Sequence, residues 1–321
     1  MKRIILYALC LLLLMNLVAC GSTQAPETVP TTYLDTDSTE SPEEADVLKI
    51  MILGSSRSVN TFQLLYEVFK DQMPDQKLVL GIMYYSGCSM AMHVNFIKNN
   101  QPVYHYYRNT DGYWEIIQEV NMDTGLKDQN WDVILLQAGS GDLDNRLNEG
   151  GRKFLKDYVD KLVSHPHALW WHSTWFNSTD PDLYKAPKTA EDAAKVDQFA
   201  QLTATNDAAK AYALTDPMFA GHITSGTPMM YALKELGVAE KDLFRDHTHL
   251  SDFGCLLVGY AWYAQYTGIP VTEIKLDTIP ARLRHASYQS LGDLQVTEEM
   301  KEIILKTVDY TLKNPWAVPG R

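Results

Sequence analysis

The stretch Leu48-Lys49-Ile50-Met51-Ile52-Leu53-Gly54-Ser55-Ser56-Arg57-Ser58 decides the fold. Its first six residues are nearly all apolar and suit a strand buried on both faces. The Gly-Ser-Ser turn that closes them leads at once into 59–73, where apolar residues recur at helical spacing. A buried strand turning directly into a helix is the repeating unit of an α/β sheet. Short apolar runs return at 77–84 (KLVLGIMY), 131–137 (WDVILLQ) and 168–172 (ALWWH), and helical spacing returns at 147–163. Thr189-Ala190-Glu191-Asp192 is a capping signal that predicts a long polar helix running toward Tyr212, and 251–267 and 297–313 predict two more. Residues 102–120 alternate around Asn109-Thr110-Asp111-Gly112, which predicts a small inserted β-hairpin. The expected architecture is a mainly parallel sheet with helices on both faces, in one domain over 47–321.

The chain has 321 residues, 45% hydrophobic and 21% charged, enough to bury a sizeable core. Acidic residues number 40 against 28 basic, a net charge of -12 that repels phosphate backbones, so nucleic acid is not an expected partner. Lys2 and Arg3, the apolar run 4–14 and Leu17-Val18-Ala19-Cys20 read as a secretory signal over 1–20. The apolar run is shorter than the roughly 20 residues of a membrane-spanning helix. Its ending resembles the bacterial lipobox, which implies that Cys20 carries a lipid and anchors an exported protein at the cell surface or outer membrane. Residues 21–46 hold seven acids and no Lys or Arg, the composition of a disordered tether. Of the cysteines beyond it, Cys88 and Cys255 form either one disulfide or two buried thiols.

Ligands of open α/β sheets bind at the carboxyl ends of strands, and a serine on the turn after the first strand sits where a helix dipole favours negative charge. Ser56 is therefore a candidate nucleophile, although the same turn also serves as an ordinary helix cap. A serine needs a base, and the base needs an acid that fixes its tautomer. Asp246-His247-Thr248-His249-Leu250-Ser251, directly before an apolar helix, offers Asp246 and His249 on one loop.

Gly54-Ser55-Ser56 after the first strand, Gly87 after the second, Gly139-Ser140-Gly141-Asp142 after the third and Asp246-x-x-His249 near the carboxyl end resemble the signature blocks of the SGNH/GDSL hydrolases. The wording is closest to bacterial SGNH-like proteins labelled as a domain of unknown function. The resemblance implies a three-layer α/β/α sandwich of SGNH/flavodoxin-like form. It also implies Ser56 as nucleophile, His249 as general base and then acid, and Asp246 as the orienting carboxylate. The oxyanion hole would take the N–H groups of Ser56 and Gly87. The superfamily's third-block asparagine is Gly141 in this chain, so Gln137 or Ser140 has to replace that donor. Gln137 is preferred because an amide can replace an amide.

Trp170-Trp171-His172-Ser173-Thr174-Trp175 leaves the fourth strand at the same sheet edge, so Trp171 and Trp175 are expected to stack on a sugar ring, unless they are core. His93, near the Gly87 loop, is a further substrate contact or a satisfied structural histidine. Arg57 either meets an anionic substrate group or is solvated or salt-bridged. His247-x-His249 and His165-x-His167 lack a carboxylate or cysteine companion, so neither metal nor cofactor is expected. The resulting expectation is a surface-anchored serine esterase that removes acetyl or other acyl groups from a carbohydrate or related polar ester. The alternative is a glycan-binding lipoprotein of the same fold with weak or no catalysis.

Overall fold

A computed structural model of the protein describes residues 47–138, 145–279, 282–286 and 291–321. The signal, Cys20, the tether and the Gly139-Ser140-Gly141-Asp142 block lie outside the described residues. In chain order the elements are β1 (Val47–Gly54), α1 (Ser56–Gln63), α2 (Leu65–Gln72), β2 (Lys77–Tyr84), α3 (Met90–Lys98), β3 (Tyr104–Asn109), β4 (Trp114–Val120), α4 (Met122–Leu126), β5 (Val133–Ala138) and α5 (Asn145–Leu162). They continue with β6 (Ala168–Ser173), α6 (Ala190–Ala193), α7 (Gln198–Tyr212), β7 (Gly221–Thr224), α8 (Gly226–Lys234), α9 (Glu240–Leu243), α10 (Asp252–Thr267), β8 (Arg282–Ala286), β9 (Leu291–Gln295) and α11 (Glu298–Lys313).

Seven strands form one sheet in the order β4-β3-β2-β1-β5-β6-β7. Strands β2, β1, β5, β6 and β7 run parallel, and β3 and β4 are antiparallel. The alternation in β1 shows why both faces are covered. Ile50 and Ile52 join a core with α1, α2, α8, α10 and α11, while Met51 and Leu53 join a second core with α3, α4 and α5. This is the expected α/β fold with helices on both faces. Helix α10 is buried at every residue from 253 to 264, as an all-round apolar helix must be.

The chain leaves β1 toward β2 on one side and later reaches β5 on the other, so the strand order reverses beside β1. Such a reversal opens a crevice at the carboxyl ends of the strands. Register brings those ends level, with Gly54 opposite Tyr84, Leu53 opposite Leu136, Gln137 opposite His172 and Ser173 opposite Thr224.

Several expectations change in detail. Helical spacing over 59–73 resolves into two helices that break at Leu64, whose backbone leaves the helical region. Leu64 and Leu65 are both fully buried, and neighbours about 100° apart on one straight helix do not face one core equally. The 189–212 helix is likewise two pieces. The Thr189 capping box forms, but Asp197 starts a second helix by accepting the Ala200 N–H at 2.8 Å. The hairpin forms and extends the main sheet through β2. Strand β7 and helices α3 and α8 are additions that no long apolar run announces. Of the two readings of Cys88 and Cys255, the structure has two buried thiols not joined in a disulfide.

Ile52 is fully buried in a strand paired on both sides. Ile52→Ala is expected to lower stability by about 2–5 kcal/mol, read as a shifted urea midpoint with an unchanged slope.

Candidate active site

Ser55 ends the β1 turn as N-cap of α1, with its Oγ accepting the Arg57 N–H at 3.4 Å, so Ser56 is the first helical residue. The turn is fixed from beneath by Gln137. Its Oε1 accepts the Ser55 N–H at 3.0 Å, the Ser55 hydroxyl at 3.0 Å and the Ser58 hydroxyl. A backbone N–H can only donate, so the Gln137 carbonyl oxygen, not its NH₂, faces the turn. Among the described residues the Ser56 hydroxyl makes no hydrogen bond.

The second half of the site is a loop closed by local bonds. Phe244 and Leu250 form an antiparallel bridge, the Arg245 N–H donates to the His249 carbonyl at 3.0 Å, and the Ser251 N–H donates to the Leu243 carbonyl at 2.9 Å. Gly254 allows this closure, because a Cβ there would stand 2.2 Å from the Leu243 carbonyl oxygen. Within the loop, Asp246 Oδ1 accepts the backbone N–H groups of Thr248 at 2.9 Å and His249 at 2.8 Å. The His249 Nδ1 lies 2.8 Å from Asp246 Oδ2. Burial pushes the Asp246 carboxyl up, but the hydrogen bonds from His249 and the two amides outweigh it and hold the group well below the usual carboxylate range. An ionised Asp246 keeps the proton on Nδ1 and leaves Nε2 basic. That Nε2 is buried and has no hydrogen-bond partner.

Three long-range bonds seat the loop. Trp175 donates its indole N–H to the Thr248 carbonyl at 2.8 Å, the Ser178 N–H donates to the His247 carbonyl at 2.9 Å, and Arg57 Nη2 donates to the Thr248 hydroxyl at 2.9 Å. The result is a cavity of about 530 Å³ lined on one side by Ser55, Ser56 and Arg57 and on the other by His247, Thr248 and His249. Ser86 and Gly87 close a third side. Gly87 has φ +62°, a backbone that glycine adopts most readily. Its N–H has no acceptor among the described residues, and the Ser56 N–H lacks an intrahelical one because it opens a helix. The remaining wall comes from Asn177, Tyr184 and the segment carrying Lys188, Asp192 and Lys195. No Ser56–His249 hydrogen bond is formed, although both groups line this one cavity.

The profile of a family described as a domain of unknown function, DUF4886, matches residues 49–288. The chain belongs to this family. A crystal structure of a DUF4886 family protein from Bacteroides uniformis is similar to it at 23% identity with a TM-score of 0.68, over 86% of this chain and 98% of the other. A gut microbial diltiazem-metabolizing enzyme aligns at 13% identity and TM-score 0.39 over 70% of this chain and 48% of its own. An acetyl xylan esterase aligns at 16% identity and TM-score 0.37 over 68% of this chain and 99% of its own. No curated protein matches the chain.

In this DUF4886 domain Ser56, Gly87 and His249 line one cavity, with Asp246 behind His249. Other expectations are corrected. Gln137 does not line the cavity, and its carbonyl oxygen is turned to Ser55 and Ser58, so it supports the β1 turn and offers no donor there. Ser140, the other replacement donor, lies outside the described residues, as does Cys20. Trp171 is 3% exposed, bonded to the Ser173 hydroxyl at 2.9 Å and packed edge-on against Phe219, so it is core. Trp175 is 1% exposed and supports the histidine loop, so it offers no face to a sugar. His93 is 2% exposed, stacks on Tyr104 and bonds its hydroxyl at 3.0 Å, with its pKa lowered to about 4 by burial. It is absent from the cavity wall. Besides His249, the aromatic groups that line the cavity are Tyr184 and His247, with ring centroids 5.1 Å apart. The signal for Tyr184 was position alone, since 174–197 follows the carboxyl end of β6, whereas His247 stands inside the Asp246-x-x-His249 block.

Glu240 holds that wall. Its carboxylate accepts the Ser178 hydroxyl, the Thr179 N–H at 2.6 Å, the Asp180 N–H at 3.1 Å and Gln198 Nε2 at 3.1 Å. Burial pushes its carboxyl up, but the hydrogen bonds from Ser178, Thr179 and Asp180 win and lower it. A lowered carboxyl stabilises the fold above the ordinary carboxylate pKa and loses that contribution as pH falls through the folded value. Glu240→Ala is expected to lower stability by about 2 kcal/mol at neutral pH, with the difference from wild type closing below about pH 4 in denaturant titrations.

Proposed function

We propose that the protein is a serine esterase of the SGNH type that removes acetyl or related acyl groups from a carbohydrate or similar polar ester. The observation that carries this reading is the Asp246–His249 pair. Its ring, whose buried Nε2 has no partner among the described residues, lines the cavity that is also lined by Ser56, with its uncommitted hydroxyl, and by Gly87.

In this mechanism Ser56 Oγ attacks the acyl carbon while His249 Nε2 takes the hydroxyl proton. The oxyanion rests on the N–H groups of Ser56 and Gly87, aided by the amino end of α1. Asp246 stays ionised and stabilises the imidazolium. The intermediate collapses as Nε2 returns the proton to the leaving alcohol. Water, deprotonated by the same Nε2, then attacks the acyl-serine, and the bond to Ser56 Oγ breaks as Nε2 returns that proton to it, releasing the carboxylic acid. No step uses a cofactor. Tyr184 and His247 replace the tryptophans as the surface for a sugar ring. The unclosed Ser56–His249 pair favours the second reading, a glycan-binding protein of the same fold. Export and lipidation at Cys20 belong to the proposal in either case.

Ser56→Ala is expected to reduce p-nitrophenyl acetate turnover by about 10³-fold or more. A fluorophosphonate probe should label Ser56 and lose that labelling in His249→Ala. Equal turnover by wild type and Ser56→Ala, or no labelling alongside measurable glycan binding, overturns the esterase. For the anchor, Cys20→Ser should abolish incorporation of labelled palmitate during expression in a bacterial host; retained label rejects Cys20.

A further inference from the structure

The charge of the cavity opposes that of the chain, which totals -12. The wall carries Arg57, Lys188 and Lys195, and Asp192 is the carboxylate among the described lining residues. Asp192 is already committed. It lies 3.3 Å from Lys195 Nζ and accepts the Thr189 N–H at 2.9 Å as the capping-box acid, so it neutralises Lys195. Asp246, behind the wall, has His249 at 2.8 Å and Arg245 at 4.0 Å. Arg57 and Lys188 are left, and among the described residues neither has a carboxylate partner.

Arg57 is half-buried and, among the described residues, makes no salt bridge. Its Nη1 donates to the Thr174 hydroxyl at 3.2 Å and the Trp175 carbonyl, and Nη2 to Asn177 Oδ1 at 2.7 Å and the Thr248 hydroxyl at 2.9 Å. Every acceptor is neutral, so the hydrogen bonds are satisfied while the charge is not compensated. Burial lowers its pKa to about 10, which leaves it cationic at neutral pH. A half-buried cation without a counter-ion is partly desolvated, which costs stability until an anion meets it. Lys188 reaches the same place. Both Arg57 and Lys188 act on the His247 ring, where burial is the largest influence against the imidazolium, Asp246 at 3.9 Å opposes it, and the two cations add to the lowering. His247 is the ring that meets Tyr184, so the two free positive charges border the aromatic part of the wall, beside the nucleophile turn.

We infer that the ester presented to Ser56 belongs to an acidic sugar, with a carboxylate or sulfate of the substrate taken up between Arg57 and Lys188 while its ring lies against Tyr184 and His247. This rests on the esterase reading for the placement of the acyl group at Ser56 and adds the charge class of the substrate. Arg57 supplies fixed charge, and Lys188 supplies a mobile ammonium with three donors.

The test uses full-length Ser56→Ala protein, which cannot be acylated, and calorimetric titration with three mono-O-acetylated methyl glycosides: a glucuronate, a glucose 6-sulfate and neutral glucose. At about 0.05 M salt at least one charged glycoside should bind about tenfold more tightly than the neutral one, and the preference should shrink several-fold at about 0.5 M salt. Lys188→Gln should cut the preference several-fold and Lys188→Arg should keep most of it. The glucuronate and sulfate arms identify which anion is preferred. Equal affinities, a preference insensitive to salt, or no binding of either charged glycoside overturns the inference. Catalysis is read separately, from wild-type turnover of p-nitrophenyl acetate and fluorophosphonate labelling. Turnover without charge preference removes only the acidic sugar, and charge preference without turnover removes only the esterase.

Discussion

The guanidinium of Arg57 is where three distant stretches of chain meet. From the first turn of α1 it bonds the segment leaving β6 and the loop before α10, at separations of 117 to 191 positions. Its plane also lies over the Trp175 ring, 5.6 Å from the centroid. The candidate nucleophile, the cavity wall and the histidine loop are therefore held by one side chain, and the geometry of the site is a tertiary property. Bonds to neutral acceptors fix the position of the group without cancelling its charge. Structural support and electrostatic field thus come from the same atoms.

Around that tie the work divides by range. Asp246 organises its own loop through two backbone amides within three positions and in doing so sets the histidine tautomer. Gln137 reaches 82 positions back to the β1 turn, which it can do because Leu53 and Leu136 pair one step earlier in the sheet. Glu240 stabilises the wall from outside the cavity, taking backbone and side-chain donors from Ser178 to Gln198. Each of these groups leaves the Ser56 hydroxyl and His249 Nε2 uncommitted.

The sequence was legible where burial is continuous or bonding is local. The runs 48–53, 77–84, 131–137 and 168–172 became β1, β2, β5 and β6 because strands covered on both faces must be apolar throughout. The pairing of Asp246 with His249 was legible because three residues of one loop suffice to form it. Trp171 and Trp175 were misread because strand-end position says nothing about which helices cover an indole. Gln137 was misread because both ends of an amide look alike until the Ser55 N–H selects one. Tyr184 and Lys188 carry no periodicity or motif, and their convergence with His247 depends on Glu240 and Arg57, which are far from both along the chain. The break at Leu64 was hidden because two adjacent leucines fit a helical pattern as well as they fit its interruption.

Cys88 and Cys255 lie buried and unbridged, and this has a consequence for the chemistry of the surrounding medium. Burial raises the Cys255 thiol far above neutrality, so almost no thiolate is available to oxidants or electrophiles. Neither sulfur contributes a covalent tie, and the packed interior asks nothing of the local redox potential. Among the described residues, oxidases or isomerases have no bond to make or correct.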